Sequence, residues 1–202
     1  MIQAQNQRKS DMKIIWIDTE TTGLDHHTNF IIELAALYED GKTKSVFHVY
    51  ILPAIKPDDF NVIEELTGIT WEYLEQNGIT EAEAYGKFIE WITPFIDKYT
   101  KTDKAIFAAY NPRFDNDFMR DFFKHNQDNY FGSWFYSAPL DIMSTVALCV
   151  KLGLIPAPAN FKNATICEYF GITHKAHSAI EDIKASRQAE LKMEELLCKS
   201  SS

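Results

Sequence analysis

Asp18, Glu20, Asp115, His177 and Asp182 are the side chains of this sequence whose types and spacing suit chemistry on a phosphate. Asp18 and Glu20 stand two apart where an apolar run ends, so a strand that stays extended through Thr19 turns both carboxylates to one side. Such a pair suits a hard cation, although for Asp-x-Glu alone a solvated strand end is the better reading. Asp115 falls at the fourth helical position if Asn111 caps a helix and Pro112 is its first residue, which favours the ionised carboxylate. By itself it needs no role beyond complementing the helix dipole. Ser178 and Glu181 have capping-box spacing, which puts His177 just before the cap and Asp182 fourth inside it, two positions that pack together. By itself, His177 reads as a surface-loop histidine.

Taken together the five have a common use. Phosphodiester hydrolysis needs an activated water, neutralised charge on the phosphoryl oxygens and a stabilised leaving oxygen, and two Mg²⁺ ions roughly 3.5–4 Å apart supply all three. Mg²⁺ takes oxygen ligands, keeps several waters and is held partly by substrate phosphate, so four carboxylates without cysteine are a fitting donor set. A neutral histidine, whose ordinary pKa lies near working pH, can take the proton of the attacking water.

The apolar pattern gives the elements that must gather these residues. Residues 13–18 read as a buried strand leaving the core, followed by a polar, turn-rich stretch over 19–29. Residues 30–38 and 44–52 read as two more strands, and the Asp40-Gly41 pair between them marks a hairpin, so an antiparallel meander is expected. A helix opens at Thr80, boxed by Glu83, with a stripe of Tyr85, Phe88, Ile89, Ile92, Ile96 and Tyr99 and a kink at Pro94. Residues 105–110 read as a strand, and the helix after Asn111 buries Phe114, Phe118 and Phe122. Further helices are expected near 142–152, 163–170 and 178–197, with a proline-rich loop at 156–158. The sum is one α/β domain over residues 12–198, a mixed central sheet flanked by helices, with residues 1–11 and 199–202 expected as disordered ends.

At these residues the sequence resembles the DEDD superfamily of 3′-to-5′ exonucleases, in the histidine-type (DEDDh), DnaQ/RNase T-like branch. The first motif stands as Ile17-Asp18-Thr19-Glu20-Thr21-Thr22-Gly23-Leu24, the second as Asn111-Pro112-Arg113-Phe114-Asp115, the third as His177-Ser178-Ala179-Ile180-Glu181-Asp182. They come in the family order and span most of the chain. The resemblance implies an RNase H-like (exonuclease) fold and two Mg²⁺ ions, for which Mn²⁺ substitutes. It implies that Asp18 bridges both ions, that Glu20 and Asp182 complete one site, that Asp115 supports the other through water, and that His177 is the general base. It further implies that Thr21, Gly23 and Leu24 contact the terminal nucleotide, and that Ile69 and Phe114 line the base pocket. Gly23 is equally an ordinary turn residue, and Leu24, Ile69 and Phe114 are equally core candidates. Asn111 reads as a helix cap in preference to a substrate contact. Two positions that are often histidine in relatives are Thr67 and Tyr110 here, which touches substrate contacts and no metal ligand. His26, His27, His48, His125 and His174 match no motif and are expected at the surface, His26 and His27 with the least basis.

The formal charge of −9 argues against a surface that grips long duplex DNA, yet an enzyme holding only a strand end can work with bound cations and a few contacts. No stretch approaches the roughly 18 apolar residues of a membrane span, and the N-terminus lacks the apolar core of a signal peptide. Cys149, Cys167 and Cys198 are an odd number without C-x-x-C spacing, so they are expected as reduced core thiols in the cytoplasm. The expected activity is removal of nucleotides one at a time from a single-stranded 3′ end, DNA favoured, with release of nucleoside 5′-monophosphates in DNA replication or repair. The sequence equally admits a short-RNA trimming exoribonuclease, or a non-catalytic module of this fold that binds nucleic acid or a polymerase. A polymerase or a second copy of the chain is the expected protein partner, and no membrane.

Overall fold

In the computed structural model, which describes residues 12–173 and 178–200, the first strand outruns its apolar segment. β1 (Ile14–Thr21) continues past Asp18, because its ladder with β2 (Ile31–Glu39) runs on through Asp18↔Ala35, Thr19↔Leu34 and Glu20↔Glu33 to a bulge before Thr21. The turn-rich stretch therefore starts three residues later than the composition implies. β2 turns through residues 40–43 into antiparallel β3 (Lys44–Tyr50). The Asp40 side chain fixes that turn by accepting from the N–H groups of Lys42 (2.9 Å) and Thr43 (2.7 Å). The meander is as expected.

β4 (Ile106–Ala109) and the short β5 (Leu140–Asp141) extend the sheet in parallel on the other side of β1, giving the mixed order β3-β2-β1-β4-β5. β1, β4 and β5 thus end at one edge, and the neighbours of β1 lead off in opposite senses. A crevice outside strand ends at such a point is where open α/β sheets receive ligands.

Alternation along the strands loads both faces. On one face Ile15, Ile17 and Phe107 pack with Phe88 of α3 (Glu81–Ile92) and with Phe118 and Phe122 of α4 (Pro112–His125). On the other, Trp16, Ala35 and Ala108 pack with Val146 of α6 (Ile142–Lys151), Ile166 of α7 (Asn163–Phe170) and Ile183 and Met193 of α8 (Ala179–Ser200). Helices α1 (Phe60–Thr67) and α2 (Trp71–Asn77), for which the apolar pattern gives no separate signal, close a small third core around Ile32. The four-residue α5 (Phe131–Trp134) is too short to leave a pattern of its own.

Several expectations need correction. α3 has the expected capping box between Thr80 and Glu83, but it ends at Ile92 instead of kinking at Pro94, and Tyr99 is 88% exposed. A proline that removes an N–H and crowds the preceding turn ended this helix outright. α8 runs to Ser200, three residues past the expected helix end near residue 197. Residues 1–11, one of the ends expected to be disordered, lie outside the described residues. Cys149 and Cys167 are buried and free, whereas Cys198 is exposed. No helix among the described residues is long and apolar enough to cross a membrane.

Phe107 sits fully buried in β4 against the rings of Phe131 and Phe135. Phe107→Ala is expected to cost roughly 3–5 kcal/mol of unfolding free energy, read from urea denaturation with an unchanged m-value. A cost below about 1 kcal/mol would show that this aromatic layer is not a tightly packed centre of the core.

Candidate active site

One carboxylate oxygen each from Asp18, Glu20 and Asp182 lies within 4.8 Å of the other two. Strand alternation explains the first two, because Asp18 and Glu20 continue the face of Trp16, against which α8 packs. Asp182 comes from the first turn of α8. Thr19 between them faces the other way, toward α4. There Asp115, 4% exposed, accepts at Oδ1 from both the Thr19 N–H and the Thr19 hydroxyl, each at 2.9 Å. The second motif is thereby fastened to the first at the residue between its two acids.

The price of this gathering is electrostatic. Burial, followed by the charges of Asp115, Asp182, Glu20 and Glu33, raises Asp18 well above the usual carboxylate range. Burial and then the charges of Asp182, Glu33 and Asp115 push Glu20 up to about 8. Burial lifts Asp115 to about 7 even though both Thr19 hydrogen bonds pull it down. Carboxyl groups that hold protons this tightly lack a positive partner. A bound cation would relieve the repulsion, and an all-oxygen donor set suits Mg²⁺ or a similar hard ion.

A residue outside the three motifs supports the cluster. Glu33 is 1% exposed and lies directly opposite Glu20 across the β1–β2 ladder. Its Oε1 pairs with His48 Nε2 at 2.7 Å, and its Oε2 accepts from the N–H of Ala179 at 3.3 Å. It thus satisfies an otherwise open donor at the start of α8 and anchors the helix that carries Asp182. The sequence signal for it is a lone carboxylate inside the apolar run of residues 31–38.

At the third motif the expected reciprocal box differs in its partner. The Ser178 N–H donates to Asp182 Oδ2 (3.2 Å), while Glu181 pairs with Lys184 (2.7 Å). Asp182, one position further along the helix, takes the acceptor role because its carboxylate faces back over the first turn. His177 and His174 lie outside the described residues.

The residues expected around a terminal nucleotide divide into two groups. Leu24 is 88% exposed at the tip of the loop after β1. It faces half-buried Phe114 across an open cavity of ≈ 350 Å³ lined also by His26, Asn111 and Arg113. Thr21 Oγ1 donates to the Gly23 carbonyl (2.7 Å), folding that loop on itself. A Cβ on Gly23 would stand 2.5 Å from Asn29 Oδ1, so a side chain there would displace the Asn29 amide. Ile69, in contrast, is buried in the third core with Phe60, Ile63 and Leu74. Asn111 precedes α4 with Pro112 at its first turn as expected, but its backbone is left-handed (φ 61°, ψ 61°) and its side chain makes no cap hydrogen bond. That conformation leaves the exposed amide to the cavity. Thr67 and Tyr110 hydrogen-bond within the protein, to the Ile63 and Phe161 carbonyls (2.8 and 2.7 Å).

A family model for exonucleases, RNase_T, matches residues 15–189. The chain belongs to this exonuclease family. Its relatives include the PolC-type DNA polymerase III of Caldanaerobacter subterraneus subsp. tengcongensis, 26% identical over 202 residues, or 98% of this chain and 13% of the polymerase. The oligoribonuclease of Vibrio campbellii is 27% identical over 44% of this chain and 53% of its own length. Exodeoxyribonuclease I of Buchnera aphidicola is 27% identical over 89% of this chain and 39% of its own length. This exonuclease domain therefore spans only a fraction of the polymerase and of exodeoxyribonuclease I. Among solved structures, the zinc-bound E. coli exonuclease I complex with single-stranded DNA superposes with a TM-score of 0.74 at 20% identity, covering 91% of this chain and 40% of that one. The fold is the RNase H-like fold of these nucleases.

The raised carboxyls fix a pH dependence. A proton held more tightly by the folded chain than by the unfolded one stabilises fully below the unfolded pKa and is lost as pH rises through the folded value. For Glu20 and Asp115 that window runs from about 4 to about 8. In chelator, the melting temperature is expected to fall across that range, with a shallower slope in Glu20→Gln and in wild type with Mg²⁺. The variant comparison separates the site from Glu190, which burial also raises, to about 7. A flat or rising wild-type profile in chelator would contradict this electrostatic picture.

Proposed function

We propose that this exonuclease domain removes nucleotides from the 3′ end of single-stranded nucleic acid, DNA in preference to RNA, releasing nucleoside 5′-monophosphates. The observation that carries the reading is the convergence of Asp18, Glu20 and Asp182, with buried Asp115 tied to Thr19 between the first two. A binding module of the same fold gains nothing from four carboxylates that repel one another.

In this reading Asp18, Glu20 and Asp182 would hold two divalent cations, and Asp115, whose Oδ1 is engaged by Thr19, would support them. The cations, Mg²⁺ or Mn²⁺, supply charge neutralisation at the phosphoryl oxygens and a lowered pKa for the attacking water. His177 would serve as the general base for the attacking water. Leu24 and Phe114 hold the terminal base from either side of the cleft, a contact that every base can make through its ring face. Thr21, Gly23 and Asn111 shape and line that cleft, while Ile69 supports its surroundings from the third core. A cleft that receives an unpaired end needs no wide basic surface, in keeping with the charge of −9. The similarity to an exodeoxyribonuclease over most of the chain favours DNA. The similarity to an oligoribonuclease over a shorter span keeps short RNA as the second reading.

Digestion of 3′-labelled and 5′-labelled single-stranded DNA, mismatched duplex DNA and short RNA with Mg²⁺ or Mn²⁺ tests the proposal. Label is expected to leave the 3′ end as mononucleotide, fastest from single-stranded DNA. Intact 3′ ends on every substrate, or cleavage from the 5′ end, would refute it. His177→Ala is expected to lower kcat by about 10²–10⁴-fold while calorimetric Mg²⁺ affinity stays within a few-fold of wild type. Asp18→Ala is expected to lose both activity and Mg²⁺ binding, and retention of either would mean that Asp18 does not bridge the two cations.

A further inference from the structure

A second cluster of ligating side chains stands apart from the carboxylates of the active site. His26 and His27, in the loop that follows β1, both aim Nδ1 at one oxygen, Oδ2 of Asp121 on α4, at 2.6 and 2.9 Å. The two rings lie 3.9 Å apart between centroids. Adjacent side chains on a loop ordinarily diverge, so convergence on one atom is a property of this loop's shape. Asp121 is buried, with 8% of its side chain exposed. Its other oxygen, Oδ1, is held by Lys124 at 2.8 Å, which leaves Oδ2 to the histidines. Ligand atoms of the three residues lie within 4.8 Å of one another.

We propose that His26, His27 and Asp121 form a binding site for a first-row transition-metal dication of the zinc type, distinct from the catalytic carboxylates, that pins the loop carrying Leu24 to α4.

The donor chemistry separates the two clusters. Two imidazoles and one carboxylate prefer Zn²⁺ and its neighbours over Mg²⁺, whereas an oxygen-only cluster has the opposite leaning. The geometry is close to what such an ion needs. Ligands about 2.0–2.1 Å from a tetrahedral ion stand about 3.3 Å apart, so the present contacts must open by roughly 0.4–0.7 Å. The histidines sit on a loop closed at its base by Thr22 and Phe30, which exchange hydrogen bonds of 2.9 Å, and a loop hinged there can yield that distance. Each ring then carries its proton on Nε2 and offers the Nδ1 lone pair. A cavity of ≈ 10 Å³ beside His26 and Asp121 has room for about one water. His26 also lines the cleft between Leu24 and Phe114, so the metal would stiffen one wall of that cleft.

Co²⁺ added to metal-free Asp18→Ala protein tests this without relying on activity, since that variant removes a carboxylate from the other cluster. One equivalent is expected to give the strong visible absorption of four-coordinate, imidazole-bound Co²⁺, and Zn²⁺ to bleach it. The band is expected to vanish in Asp18→Ala combined with His27→Gln or with Asp121→Asn, and Zn²⁺ to slow amide exchange over residues 23–29 only where His27 is kept. His27 is exposed, so its replacement leaves the fold intact, which circular dichroism checks. No strong band in the Asp18→Ala protein, or a band that survives His27→Gln, would overturn the proposal. Because the readout is spectroscopic, its failure leaves the exonuclease reading standing, and loss of nuclease activity leaves this site standing.

Discussion

Like charges held close together in a poorly solvated place are the condition around which this structure is organised. Asp18, Glu20, Asp115 and Asp182 would separate in a flexible chain, and Glu33 adds a fifth acid beside Glu20. Each sits instead on an element whose position is set by packing: a central strand, the first turn of α4, the first turn of α8. Hydrophobic burial on both sheet faces supplies the force that keeps those elements together against the repulsion. Asp18, Glu20 and Asp115 consequently hold their protons more tightly than free carboxyls do, and a cation becomes the natural occupant.

The fold meets this condition with few devices. β1 occupies the middle of the sheet, so both neighbouring strands and helices on both faces constrain its end. The Thr19 to Asp115 bonds stop α4 from sliding relative to β1. Glu33 does the same for α8 by accepting from Ala179, with His48 occupying its second oxygen. Glu33 and Thr19 are positioning residues: each holds an acid-bearing helix in place without itself joining the three converging carboxylates. The loop from Thr22 to Phe30 has a comparable tie in its histidine pair on Asp121, which sets where Leu24 stands over the cleft.

Membership of the exonuclease family fits this arrangement at the level of the domain. The PolC-type polymerase and exodeoxyribonuclease I are far longer than this chain, so what they share with it is a single domain of each. In this chain Tyr110 is turned onto the Phe161 carbonyl and Thr67 back onto its own helix, so both are committed to internal bonds.

The sequence by itself determined the local facts: the meander from apolar runs around Asp40-Gly41, the boxed start of α3, the proline-led start of α4, and the three motifs that carry Asp18, Glu20, Asp115 and Asp182. These follow from nearest-neighbour chemistry, in which a residue's role depends on those within a few positions. Only the tertiary structure decided how far β1 extends, because the ladder to β2 and not its own composition carries it through Thr21. The same holds for Glu33, whose partners at His48 and Ala179 are 15 and 146 residues away. Ile69 went to the core and Leu24 to solvent, although one apolar side chain looks like another until the volumes around them are filled. Asn111 surrendered its cap because the turn from β4 into α4 demanded a left-handed residue. Side chains distant in the chain acquire partners only when packing brings them together, and no pattern of spacing encodes that.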